Sequence, residues 1–132
     1  MQTERVKQFF AIMEKLPSLN EVIAANRANR YNGADLKKNT ELMIGMYILK
    51  AKAAGNLVPT KKPCEVIFEW HEKTQKRDCD NIASAKKFIL DALQKYKIIE
   101  NDNQKYITGF RDIFIKDERN FVMVYLIEKG DA

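Results

Sequence analysis

Apolar residues recur along this chain with two different periods, and the changes of period mark its elements. Cys64, Val66, Phe68 and Trp70 alternate with Glu65, Ile67, Glu69 and His71. Residues two apart share one side of an extended chain, so this run predicts a central or half-buried strand after Pro63. Ile82, Ala85, Ile89, Leu93 and Tyr96 instead fall three, four or seven residues apart. That spacing predicts a helix over 81–97 with one buried face, its free N–H groups capped by Asp80 or Asn81. Leu42, Met43, Met46, Ile48 and Leu49 predict another over 36–54, closed by Gly55-Asn56. Gly45 inside it points to close packing, since a helical glycine costs about 1 kcal/mol relative to alanine.

The remaining segments are simpler. Residues 106–115 and 121–127 are β-rich and separated by the turn 116–120, while 100–103 forms a polar turn. Asn20 to Asp35 is polar, basic and rich in Asn, and it ends on the turn signal Asn32-Gly33. Val6 to Leu16 fits either a helical stripe (Val6, Phe9, Phe10, Met13) or one face of a strand (Phe9, Ala11, Met13), and Pro17-Ser18 ends it. The order β(or α)–α–β–α–β–β predicts an α/β or α+β fold, a small mixed sheet with two main helices.

At 132 residues the chain suits one domain spanning 1–132, large enough for a core without staples. It has no apolar run near the roughly 20 residues needed to cross a bilayer, and no signal-peptide core, so a soluble cytoplasmic protein is expected. Cys64 and Cys79 lack CxxC spacing and, with the single His71, make an incomplete zinc set. One histidine also leaves little room for a triad. Hydrolytic chemistry here would run on carboxylates and a bound metal.

The net charge of +5 suggests an anionic partner. Arg27, Arg30, Lys37 and Lys38 lie in or beside the polar stretch around Tyr31, Asn32 and Gly33; Lys61 and Lys62 precede the first predicted strand, and Lys73, Lys76 and Arg77 follow it. Asp78, Asp80, Asp91 and Asp102 stand as single acidic points among these bases. If the chain is extended at 78–80, Asp78 and Asp80 can face one cation, and Asp102 joins them only if the chain folds back after the helix. Equally, Asp80 can be a helix cap, Asp102 a turn residue and Lys87/Asp91 an exposed i,i+4 pair.

Arg77-Asp78-Cys79-Asp80-Asn81, the helical Lys87-Phe88-Ile89-Leu90-Asp91-Ala92-Leu93 and the later Asn101-Asp102 resemble the RusA family of Holliday-junction resolvases, small endonucleases typical of prophages and bacteria. The family pattern is Asp-x-Asp-Asn, then Lys-x-x-x-Asp-Ala-Leu, then an Asp-Asp pair. Looser support comes from Leu16-Pro17-Ser18-Leu19-Asn20, where the family carries a Pro-Ser-x-Asn signature. The resemblance covers mainly 64–127 and favours a strand at 6–16. It implies that Asp78, Asp80 and Asp102 are metal ligands and that Lys87 is the catalytic lysine, with Asn81 and Asp91 in supporting roles. Asn101 departs from the pattern by replacing the first Asp of the pair. The interval from Asn81 to Asp91 is about one helical turn longer than in short members, so Lys86, about 100° away on the wheel, rivals Lys87.

The resemblance thus implies a Mg²⁺- or Mn²⁺-dependent endodeoxyribonuclease that resolves four-way DNA junctions by paired phosphodiester hydrolysis in recombination and repair, acting as a homodimer. Arg27, Arg30, Lys37, Lys38, Lys73, Lys76 and Arg77 are the candidates for backbone contacts. The alternative is a non-catalytic nucleic-acid-binding module of prophage origin, kept open by Asn101; a third is an interaction protein whose acids are only caps and turns.

Overall fold

The alternation around Phe68 becomes the middle of a sheet in the computed structural model, which describes residues 7–129. The elements are β1 (Lys7–Ile12), α1 (Leu19–Ala28), α2 (Arg30–Ala53), β2 (Cys64–Glu72), α3 (Cys79–Ala83), α4 (Lys86–Lys95), β3 (Ile107–Lys116) and β4 (Phe121–Glu128). The strands form one sheet in the order β1-β4-β2-β3. β4 is antiparallel to β1 and β2, while β3 is parallel to β2. Parallel neighbours need a crossover, and α3 with α4 supplies it. The fold is a small α+β domain with a mixed sheet, as the patterning predicts, and residues 7–12 are extended. Val6 lies outside the described residues.

Val66, Phe68 and Trp70 face Leu126, Val124 and Val122 across the β2–β4 pair, and Phe10 meets Val124 from β1. These side chains form one buried cluster with Ile44 and Ile48 of α2 and Ile89 and Leu93 of α4. Ile67 and His71, on the opposite face of β2, are also buried, which marks β2 as a central strand. Ile82, Ala85, Ile89 and Leu93 are buried as predicted, and Tyr96 packs against them.

Three expectations need correction. The polar stretch 20–35 is helical on both sides of Asn29, and Asn32-Gly33 lies inside α2 rather than at a turn. Ser18 caps α1 through a capping box with Glu21, and Asn29, extended at φ −174°, caps α2 by accepting from the Asn32 N–H. Gly33 serves the close approach of α2 to α1, where a Cβ would collide with the Asn26 side chain. The single helix expected over 81–97 breaks after Ala83. There the Ser84 hydroxyl donates to the Asn81 carbonyl, and Ala85 and Phe88 make short-range bonds to Ile82 and Ala85. The N-cap position of α3 belongs to Asp78, whose side chain makes no capping bond, rather than to Asp80 or Asn81. Gly55 closes α2 at φ +82°, and Lys97 at φ 63° ends the turn after α4.

Candidate active site

The crossover carries most of the singled-out residues. Ser84, Lys87 and Asp91 line one groove in a row along the start of α4, and Asp80 lies one turn before Ser84 on α3, its carbonyl accepting from the Ser84 N–H. Asp78 and Asp80 are exposed where the chain leaves the end of β2. Asp102 is half-buried in the loop beyond α4, at the entry to β3. The chain returns through β3, which runs parallel to β2.

Lys87 sits in the middle of this row. Its Nζ donates to Asp91 Oδ1 at 3.1 Å, with 71% of the lysine side chain exposed against 18% for Asp91. The hydrogen bond and charge of Asp91 hold the ammonium above its ordinary pKa, and the charges of Asp102 and Glu41 add to this. Asp102 and Lys87 are therefore brought into one electrostatic neighbourhood.

Lys86 points elsewhere. Its Nζ lies 2.7 Å from Asp112 Oδ2 on β3 and over the rings of Phe68 and Phe110 at 5.4 and 4.8 Å. The neighbouring lysines thus have separate environments, Lys86 against the sheet and Lys87 in the exposed row. Asn81 Oδ1 accepts from the Asn20 N–H at 3.0 Å and ties the start of α1 to α3. Asn101 Oδ1 accepts from the Asn103 N–H, so the residue that departs from the Asp-Asp pattern closes its own turn.

Beside the row runs a groove of about 350 Å³ between α1, α2 and α4, with Leu19, Val22, Leu36 and Phe88 in its walls and Lys37, Lys87 and Asp91 along it. Arg27, Arg30, Lys37, Lys38, Lys73 and Lys76 are exposed. Arg77 differs, because its Nε and Nη2 donate to the two carboxylate oxygens of Glu72 at 2.9 and 2.6 Å in a half-buried pair.

Among the described residues, no three His, Cys, Asp or Glu side chains lie close enough together to hold a metal ion. The donor chemistry of Asp78 and Asp80 nevertheless fits Mg²⁺: both are exposed hard-oxygen ligands, and this ion needs only one or two carboxylates when waters and a phosphate complete its shell. Sequence reasoning overlooks Glu41 and Asp112. Glu41 is buried on α2 in register with Ile44 and Ile48, a signal that was available as a carboxylate at an apolar position of the helix.

No helix among the described residues is long and apolar enough to cross a membrane. No curated protein matches the chain. The family model described as endodeoxyribonuclease RusA matches residues 3–125. With nearly the whole chain covered, and the aspartate, lysine and Asp-Ala-Leu elements laid along one crossover, this protein belongs to the RusA endodeoxyribonuclease family, whose substrate is DNA.

Proposed function

We propose that this chain is a Mg²⁺- or Mn²⁺-dependent, structure-selective endodeoxyribonuclease that resolves four-way DNA junctions by paired cuts in recombination and repair. The observation that carries this reading is the row Ser84–Lys87–Asp91 along a groove that Lys37 also lines, just after the Asp78 and Asp80 segment, with Asp102 acting on Lys87. Asp78 and Asp80 would hold the metal, while Asp102, which is not gathered with them among the described residues, would act on Lys87. Bound by that pair, the metal supplies Lewis-acid stabilisation of charge on the phosphodiester.

The chain's own residues do the rest. Lys87, held protonated by Asp91, offsets negative charge as it builds on the phosphate. Asp91 parks the ammonium until the phosphate replaces it as acceptor. Asn81 keeps the Asp80 turn docked on α1. Arg27, Arg30, Lys37, Lys38, Lys73 and Lys76 would track the backbone on either side. A junction presents two symmetric strands, so two sites related by a two-fold axis, and hence a homodimer, match its geometry.

The test is incubation of labelled four-way junction, linear duplex and single strand with Mg²⁺, using wild type and Asp80→Asn. Paired nicks on the junction alone, absent from the variant, are the expected result. Tight binding without cutting by either protein would replace this reading with a binding module.

A further inference from the structure

Lys97 stands where the backbone favours glycine. α4 ends in a Schellman motif: the Lys97 N–H donates to the Gln94 carbonyl at 3.1 Å, and the Ile98 N–H donates to the Leu93 carbonyl at 2.9 Å. Ile98 and Leu93 are both fully buried in the core, as the motif's apolar contact requires. Lys97 itself is left-handed at φ 63°, the one non-glycine residue with positive φ among the described residues. An L side chain is strained there and glycine is not. A lysine in such a position points to a use for its ammonium.

Lys97 lines a cavity of about 530 Å³ at the C-terminal end of α4, together with Thr60, Lys61, Gln94 and Glu100. Lys61 is held there by its neighbours. The Thr60 N–H donates to the Ile98 carbonyl at 2.8 Å, the Thr60 hydroxyl donates to the Glu128 carboxylate, and the Lys62 N–H donates to that hydroxyl at 3.3 Å. Lys61 and Lys97 thus flank one backbone hydrogen bond. Both are exposed, and neither is ion-paired among the described residues. Lys37, Lys86 and Lys87, by contrast, each have a carboxylate partner. Glu100 is the one acid in the cavity walls, and it takes the hydrogen bond of the Tyr106 hydroxyl. Two unneutralised ammonium groups lining one cavity favour an anion.

The cavity continues the line of the groove. Lys87, Asp91 and Gln94 follow one another at four and three residues within α4, so they share one side of that helix. Lys87 and Asp91 line the groove, and Gln94 lines the cavity. From Lys87 to Gln94 the helix rises about 10 Å, close to about three phosphate steps of a B-form strand.

We propose that this cavity is a second phosphate subsite, in which Lys61 and Lys97 hold a backbone phosphate of the DNA strand about three nucleotides from the one at Lys87. The assignment rests on the reading of Lys87 as the lysine that meets the scissile phosphate. The left-handed strain at Lys97 is then a stability cost borne by DNA binding.

The test uses the full chain and a four-way junction in Ca²⁺, read by anisotropy over a salt series, for wild type, Lys61→Ala, Lys97→Gly and the double variant. Lys97→Gly keeps the turn and relieves its strain, so its melting temperature should rise. Its slope of log K against log salt should nevertheless flatten by about one, and that of the double variant by about two. Junctions carrying a single neutral methylphosphonate at successive phosphates on either side of the crossover then locate the contact. One position, about three steps from the scissile phosphate, should weaken wild type about five-fold and leave the double variant unchanged. The subsite is overturned if Lys97→Gly gains stability with affinity and slope intact, or if wild type and double variant respond alike at every position. If wild type binds the junction but does not cut it in Mg²⁺, the nuclease reading fails, and the methylphosphonate comparison still decides the subsite. No binding by wild type overturns both.

Discussion

Lys86 and Asp112 form an ion pair across the crossover, with the Nζ 2.7 Å from Oδ2, and the other oxygen of Asp112 accepts from Trp70 Nε1 at 2.9 Å. The pair therefore pins the start of α4 to β3 and to the core tryptophan of β2. It also uses up Lys86, which leaves Lys87 as the exposed lysine beside Asp91 at the groove.

Lys86→Met should therefore weaken the fold. Both partners are about a quarter exposed or less, and removing one leaves a largely desolvated carboxylate, a loss of about 1–3 kcal/mol in urea unfolding. Lys87→Met removes an ammonium that is 71% exposed but strands Asp91 at 18% exposure, and should cost less than Lys86→Met, about 1 kcal/mol or under. Cleavage should separate them in the opposite direction, with Lys87→Met inactive and Lys86→Met active well below its melting temperature. A Lys86→Met protein that folds normally and cuts nothing would reassign the catalytic lysine.

Gly45 offers a second test of how α2 and α4 meet. A Cβ there would collide with the ring of Tyr96, which packs at the end of α4. Gly45→Ala gains helix propensity of about 1 kcal/mol but forces overpacking of about 1–3 kcal/mol, so a net loss of roughly 1 kcal/mol is expected. In a Tyr96→Ala background the collision is gone and the same substitution should stabilise. Thermal or urea unfolding of the four-protein cycle reads the change of sign.

The legible parts of this fold are those whose burial leaves a period in the sequence. β2 alternates because Val66, Phe68 and Trp70 all face the core, and α4 repeats because Ile89 and Leu93 do. α1 buries none of its residues, so 20–28 carries no apolar stripe, and its surviving signals are the capping box at Ser18 and Glu21. The break after Ala83 coincides with one local bond, the Ser84 hydroxyl donating back to Asn81, and leaves no mark on the apolar period. The same division runs through the site. Asp78, Asp80 and Lys87 could be singled out by motif, but the choice between Lys86 and Lys87 depends on Asp112, 26 residues away in sequence. Burial of Glu41 likewise depends on where α2 packs.

The two cysteines should behave oppositely toward a thiol reagent. Cys79 is exposed, whereas Cys64 is fully buried at the start of β2, and burial, helped by the charge of Glu128, pushes its thiol up to about 11. Near neutral pH the folded protein should titrate one thiol rapidly, Cys79→Ser should titrate none, and denaturant should expose the second. The unfolded Cys64 thiol ionises near its ordinary 9.0 and the folded one near 11, so its contribution to stability is fully present below pH 9 and is lost as pH rises through 11. Wild type should lose more stability between about pH 8 and about pH 10.5 than Cys64→Ala does. Equal losses would remove Cys64 as the source.

Salt dependence should separate the free bases from Arg77. Arg27, Arg30 and Lys38 are exposed on α1 and α2, and Lys73 and Lys76 are exposed in the loop after β2. Each cation that meets a phosphate releases a counterion and adds about one to the slope of log K against log salt. Alanine at Arg27, Arg30 and Lys38 together should flatten that slope by roughly two to three and weaken junction and duplex alike. Arg77 is already bound to Glu72 through two charge-assisted hydrogen bonds, with both side chains less than one-fifth exposed. Arg77→Ala should therefore cost about 1–3 kcal/mol of stability, loosening the loop that carries Asp78 and leads into α3 with Asp80, with little change in slope. Anisotropy titrations over a salt series, paired with urea unfolding, read both quantities. A slope reduced by about one with stability intact would instead mean that the Arg77 guanidinium leaves Glu72 to bind DNA.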